Sequence, residues 1–151
     1  MKKAVALILG LFGALWCPIP NFFPMQMRVE AQQPVLASDS LLFMEKQKLA
    51  AAGDNTSART LKVAESFLGS PYVHGCLDCY VKENLTVNLR DMDCWTFVEN
   101  SLAIAQAYQE NFDVYKSHLQ QLRYWGGEVN GFGSRIHYFT GWLLQAEKYG
   151  I

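Results

Sequence analysis

The chain has 151 residues, half of them apolar and 18% charged, the composition of a single globular domain and not of a disordered tail or a membrane bundle. Thirteen basic and 14 acidic residues give a net charge of −1. With no run of five basic residues, binding to nucleic acid or to an anionic membrane surface is disfavoured, and small, uncharged or peptide-like partners fit better.

At the N-terminus, Lys2 and Lys3 precede an uncharged run from Ala4 to Trp16 that Pro18 and Pro20 stop. This is the shape of an export signal, and the run is shorter than the about 20 apolar residues that span a bilayer. Val29-Glu30-Ala31 and Val35-Leu36-Ala37 both offer small residues for cleavage, and Ala31 is preferred. Trp16, where a small residue is needed, speaks against lipidation at Cys17. The reading is therefore a signal peptide over residues 1–31, a linker over 32–38 rich in Gln and Pro, and a domain over 39–151. It predicts an exported protein, periplasmic or extracellular, free of the membrane after processing. Cleavage removes three basic residues and one acidic residue and leaves a net charge of −3.

Leu41, Leu42, Met44 and Leu49 lie among good helix formers that end at Gly53, with Ser38 or Ser40 available as a cap. After Asp54-Asn55-Thr56-Ser57, Leu61, Ala64, Phe67 and Leu68 recur at helical spacing until Gly69 and Pro71 close the segment. Leu85, Val87 and Leu89 alternate with Thr86, Asn88 and Arg90, which predicts a short half-buried strand. From Asp93 the period returns to that of a helix, through Phe97, Val98, Ser101, Leu102, Ala105 and Tyr108. Phe112, Tyr115, Leu119 and Leu122 make another stripe ending at Gly126-Gly127, and a last helix is expected around Tyr138 to Tyr149. One strand has no partner, and its backbone groups would stay unpaired. The inventory thus fits either an all-helical domain or the front part of a larger α+β domain.

Processing leaves Cys76, Cys79 and Cys94. Cys76-Leu77-Asp78-Cys79 lacks a second CxxC or paired histidines, so no metal site is expected there; a local disulfide and two spectator thiols both remain open. Cys94 follows Asp93, a good N-cap, at the head of a helix, where the positive end of the dipole favours a thiolate. A small buried cysteine at an ordinary helix start fits the same spacing. Of the histidines, His118 falls on a polar helix face and His74 in a turn-like loop. His137 sits with Arg135, Tyr138 and Trp142, a grouping suited to orienting a carbonyl or carboxylate and stacking a sugar, or merely to packing.

Gly69-Ser70-Pro71-Tyr72-Val73-His74-Gly75 and Asp93-Cys94-Trp95-Thr96-Phe97-Val98-Glu99 resemble the G-x-P-Y and D-C-x-x-F-V pair of the NlpC-type, papain-like cell-wall peptidases. With Val87-Asn88-Leu89-Arg90 and the Ser134 to Trp142 segment, the chain more closely resembles their N-acetylmuramoyl-L-alanine amidase-like branch, over about residues 60–145. The resemblance implies a papain-like α+β fold, of which this chain holds the helix-rich N-terminal part with the central sheet largely missing. It also implies hydrolysis of the amide between the lactyl group of N-acetylmuramic acid and L-alanine, on soluble anhydro-muropeptide fragments and without a cofactor. By the same resemblance Cys94 is the nucleophile, Tyr72 lies beside it and helps stabilise the oxyanion, and Arg135 and His137 form a substrate-binding wall. The base histidine of the papain-like pattern, on a strand after the nucleophile helix, has no counterpart before Ile151. The competing expectation is a non-catalytic helical module that binds muropeptides or a partner and lacks the general base. If the sheet is missing, the apolar faces at Phe97, Val98, Leu102 and Tyr108, and at Ile136, Phe139 and Leu143, are left uncovered.

Overall fold

A computed structural model describes residues 35–78 and 82–151; the export signal, the cleavage point at Ala31, linker residues 32–34 and Cys79 lie outside these. The described residues form five α-helices: α1 (Ala37–Ala50), α2 (Thr56–Glu65), α3 (Cys94–Gln106), α4 (Phe112–Arg123) and α5 (Phe139–Lys148). Short 3₁₀ turns at Trp125–Gly127 and Phe132–Ser134 separate α4 from α5. Helix α3 is central, packed against α2 on one side and α4 on the other; α1 lies across all three, and α5 packs against α4. None of these helices is long and apolar enough to cross a membrane.

Local chemistry sets the helix ends. Asn55 caps α2 by accepting from the Ala58 amide, and Asn111 caps α4 by accepting from those of Asp113 and Val114. Helix α1 starts without a serine cap. Its N-terminus is closed by Asp39, whose carboxylate accepts from the Leu36 amide at 2.9 Å, while Ser40 donates to the Ala37 carbonyl. Gly53 is required by proximity, because a Cβ there would sit 2.5 Å from the Arg59 amide nitrogen at the start of α2.

The core joins Phe43, Val63, Phe67, Ala103, Ile104, Tyr115, Leu119 and Leu122. Phe43 stacks on Tyr115 with centroids 5.1 Å apart, and the Tyr115 hydroxyl donates to Asn100 Oδ1 at 2.9 Å. The stripe read in α4 is the buried one. In α2 the buried residues are Val63 and, just past the helix, Phe67, whereas Leu61 and Leu68 face solvent, Leu68 with 84% of its surface exposed. Of the apolar faces expected to lack cover, Phe97, Leu102 and Tyr108 pack against the core and Ile136 is buried, while Val98, Phe139 and Leu143 are exposed.

No strand forms among the described residues, and the papain-like α+β architecture is overturned: they make a helical body with two isolated bridges, Tyr72 with Met92 in parallel and Tyr124 with Arg135 antiparallel. The segment Leu85 to Leu89 forms no regular element; Val87 and Leu89 are buried, as the alternation suggested, but Thr86 is buried as well and Leu85 only half-buried. Three of its backbone groups are paired with side chains instead of a neighbouring strand. The Leu89 amide donates to Asp39 Oδ1 (3.1 Å), the Thr86 carbonyl accepts from Arg123 (2.6 Å), and the Asn88 carbonyl accepts from Asn100 Nδ2 (3.2 Å). The Asn84 carbonyl accepts from the Tyr124 hydroxyl. Side-chain partners meet the demand that would otherwise call for a sheet.

Asp39 therefore both caps α1 and holds the segment Leu85 to Leu89. Asp39→Ala leaves the buried Leu89 amide unpaired and is expected to lower stability by about 2–3 kcal/mol in urea unfolding. Asp54→Ala, at an exposed turn, is expected to change it by less than about 0.5 kcal/mol.

Candidate active site

Helix α3 begins at Cys94 because Asp93 stops the extended chain and caps it. The Asp93 carboxylate accepts from the Thr96 amide at 2.8 Å and from the Thr96 hydroxyl at 2.9 Å, and the Asp93 amide donates back to Thr96 Oγ1 at 3.0 Å. This closed capping box fixes the first turn. Cys94 is the first helical residue and is exposed, as an accessible nucleophile requires.

Two other segments are drawn to this helix end. The Val73 amide donates to the Met92 carbonyl at 3.0 Å and the Met92 amide to the Pro71 carbonyl at 3.2 Å, so the backbone of Tyr72 runs beside the residues leading into Cys94. The Tyr72 side chain is 66% exposed. Cys76 is buried, with its Sγ 3.4 Å from Thr96 Oγ1, and burial raises its thiol pKa above the ordinary value. Its CxxC partner, Cys79, is outside the described residues.

Two depressions meet at Trp95. One, of about 200 Å³, is apolar and lined by Cys94, Trp95, Val98, Glu99, Phe139 and Trp142. The other, of about 140 Å³, is the more polar of the two, with Asp78, Asp93, Arg135 and His137 in its walls beside Leu77, Trp95 and Ile136. Phe139 and Trp142 stack with centroids 6.0 Å apart, and Trp95 meets both edge-on, at 6.3 and 6.4 Å. The sequence-predicted residues are thus divided: Cys94 lines the apolar groove, Arg135 and His137 line the polar pocket, and Tyr72 belongs to the lining of neither.

Arg135 is buried and already engaged. Its Nη2 donates to Asp78 Oδ1 at 2.6 Å, and its Nε lies 3.8 Å from a Glu83 carboxylate oxygen, beyond hydrogen-bond reach. The Ile136 amide, donating to the Arg123 carbonyl at 2.9 Å, anchors this stretch to the end of α4. His137 is exposed, stacked on Phe132 at 4.3 Å, with Nε2 2.9 Å from the Phe132 carbonyl oxygen. His118 lies in α4, away from both depressions, and His74 is exposed in the turn after Val73.

Trp95, Glu99, Phe139 and Asp78 are wall residues that the sequence patterns did not single out. Trp95 and Glu99 stand in the Asp93 to Glu99 motif and Phe139 in the Ser134 to Trp142 segment, and the four-residue spacing of Trp95 and Glu99 places both on one helix face. Glu99 accepts from Trp95 Nε1 at 2.9 Å and from Arg123 Nε at 2.8 Å. Burial raises the Glu99 carboxyl pKa. Burial alone would lower that of Arg123, but the Glu99 carboxylate outweighs it and holds the guanidinium above its ordinary value.

With Cys94 exposed and Cys76 buried under Thr96, a limiting amount of iodoacetamide on the folded protein is expected to label Cys94 at least about tenfold faster than Cys76. Peptide mapping by mass spectrometry reads the ratio, and equal labelling would contradict this account of the helix end.

A family model described as AmiA-like, N-acetylmuramoyl-L-alanine amidase-like, matches residues 62–151, more than half of the chain. Crystal structures of an N-acetylmuramoyl-L-alanine amidase from Bacteroides uniformis ATCC 8492 are similar: one at 30% identity with a TM-score of 0.58, over 60% of this chain and 39% of that one, and another at 28% and 0.56, over 60% and 40%. A candidate xylanase from Bacteroides fragilis is similar at 34% identity with a TM-score of 0.56, over 58% of this chain and 40% of that one. The chain spans about two-fifths of the length of these proteins. No curated protein matches.

Proposed function

The chain belongs to the N-acetylmuramoyl-L-alanine amidase-like family, and from that membership we propose that it is an exported, periplasmic or extracellular amidase of peptidoglycan fragments with Cys94 as its nucleophile. The bond cleaved joins the lactyl carbonyl of N-acetylmuramic acid to the amino group of L-alanine, and the substrate class is soluble anhydro-muropeptides. The observation that carries the reading is the exposed Cys94 thiol on the first turn of α3, in the wall of the aromatic groove. A thiolate there attacks the lactyl carbonyl; the sulfur–carbon bond forms, the carbon–nitrogen bond breaks, and L-alanine leaves as an amine that takes up a proton. Water then hydrolyses the thioester, releasing the lactyl carboxylate and restoring the thiol.

Tyr72, carried beside Met92 by the two backbone bonds, is assigned to the oxyanion formed at each step. Arg135 and His137 are assigned to the substrate wall on the polar side of Trp95. The ties of Arg135 to Asp78 and Glu83 make it a rigid part of that wall, with His137 the more accessible of the two. A glycosidase reading, which the name of the B. fragilis neighbour raises, calls for a pair of carboxyl groups across the sugar linkage. In the polar pocket Asp78 is held by Arg135 and Asp93 by the capping box, which favours the amide reading.

The test is hydrolysis of anhydro-muropeptide, followed by release of the L-alanine amine. Cys94→Ala is expected to remove turnover, by at least about 10³-fold, with the fold retained, and release of sugar from xylan is expected to be nil in every variant. His137→Ala is expected to raise KM with a smaller change in kcat. If it instead abolishes kcat at unchanged KM, His137 is the proton acceptor for Cys94 and not part of the binding wall.

A further inference from the structure

Trp95 is the residue common to both depressions, so its ring orientation sets where the apolar groove beside Cys94 ends and the polar pocket beside Arg135 begins. Its ring meets Phe139 and Trp142 edge-on, contacts that pack its faces and edges but give its N–H no partner. What fixes the ring is its N–H, donated at 2.9 Å to Glu99 one helical turn later. Glu99 is in turn held from the other side: Arg123 donates to its second oxygen at 2.8 Å, and Arg123 Nη1 donates to the Thr86 carbonyl at 2.6 Å. Both members of the ion pair are 1% exposed. Such a pair contributes little net stability, since the cost of desolvating two charges offsets their attraction, and apolar residues of similar volume commonly replace it without loss. Its distinctive product at this position is a charged acceptor at a fixed point one turn from Trp95.

Resting on the amidase reading for its substrate, we infer that Glu99 is a positioning residue for the active site, locking the Trp95 indole as the partition between the groove at Cys94 and the polar pocket at Arg135. It acts through Trp95 and Arg123 and touches no reacting atom. The lock matters because the reaction needs the scissile carbonyl at Cys94 while the rest of the substrate lies on the two sides of Trp95. A rocking partition misplaces the bound ligand without altering the thiol.

The test uses the full chain and reads Trp95 directly. Its fluorescence is isolated by difference against Trp95→Phe, and its accessibility is measured by acrylamide quenching. Glu99→Met combined with Arg123→Met removes the acceptor and leaves no lone charge buried. It is expected to raise the quenching constant of the Trp95 component about threefold with the helical signal retained. Glu99→Gln in the Arg123→Met background, where the amide oxygen is free to accept from the indole, is expected to restore the wild-type value. If the double methionine variant loses its helical signal, Glu99→Gln with Arg123 intact decides in its place: the guanidinium claims the amide oxygen, the NH₂ faces the indole, and quenching again rises. Quenching unchanged in the folded variants overturns the inference.

On anhydro-muropeptide, the double methionine variant is expected to raise KM about tenfold with a smaller change in kcat. Trp95→Phe is expected to give no further loss when added to it. A fall in kcat at constant KM, or full additivity with Trp95→Phe, overturns the inference, because Glu99 would then act on the chemistry or elsewhere. If the wild-type chain does not hydrolyse the substrate, the amidase reading falls, and the quenching series still decides the role of Glu99.

Discussion

The Arg123 guanidinium is the point at which separate stretches of the chain are brought together around one buried charge. It stands at the end of α4, is buried, and reaches Glu99 on α3 and the Thr86 carbonyl of the segment Leu85 to Leu89. Its own carbonyl accepts from Ile136, which begins the approach to α5. One side chain and its backbone thereby tie four stretches of chain that no strand pairing holds together. A long, planar, permanently charged group with five donors suits this task better than any other side chain. The charge it brings inside is balanced by a carboxylate that has a second use at Trp95.

Much of this was legible in the residues and some of it was not, for physical reasons. The stripe of α4 was readable because its apolar positions coincide with its buried ones, and the α3 start because Asp93 and Thr96 form a local cap that needs nothing from the rest of the fold. Leu61 and Leu68 misled, since Val63 and Phe67 carry the burial in and just past α2 while Leu61 and Leu68 stay exposed. The alternation over Leu85 to Leu89 marked a half-buried stretch, with Val87 and Leu89 inside, but it missed that Thr86 turns inward too. Such a stretch becomes strand only if a neighbouring backbone is available, and here Asp39, Asn100 and Arg123, far away in sequence, take that place. A motif resemblance cannot supply this information, and the fold inferred from it gives way to a helical body in the described residues.

The candidate site repeats the pattern. Cys94 was visible because helix starts and caps are local. The two-sided architecture around Trp95 was not, because it joins residues from α3, from the loop at Asp78, from the stretch at Arg135 and from α5. His137 and Arg135 stood close in sequence and looked like a functional pair, yet the structure gives them different environments: one buried and salt-bridged, the other exposed and stacked on Phe132. Sequence proximity predicted shared location and not shared chemistry.

The groove at Cys94 has walls of unequal firmness. Helix α3 is enclosed by α1, α2 and α4 and buries polar residues such as Asn100 and Ser101 along with its apolar ones, so the wall that carries the thiol cannot shift without disturbing the core. Helix α5 buries only Trp142, Gln145 and Ala146 and presents Phe139, Leu143 and Leu144 to solvent. Its seat is narrow: a Cβ at Gly141 would sit 2.8 Å from the Trp125 ring, and Gln145 ties it to the Gln121 and Tyr124 carbonyls. Of the exposed residues of α5 only Phe139 lines the groove, so a change at that one position reshapes the groove while Cys94 stays where the core has put it.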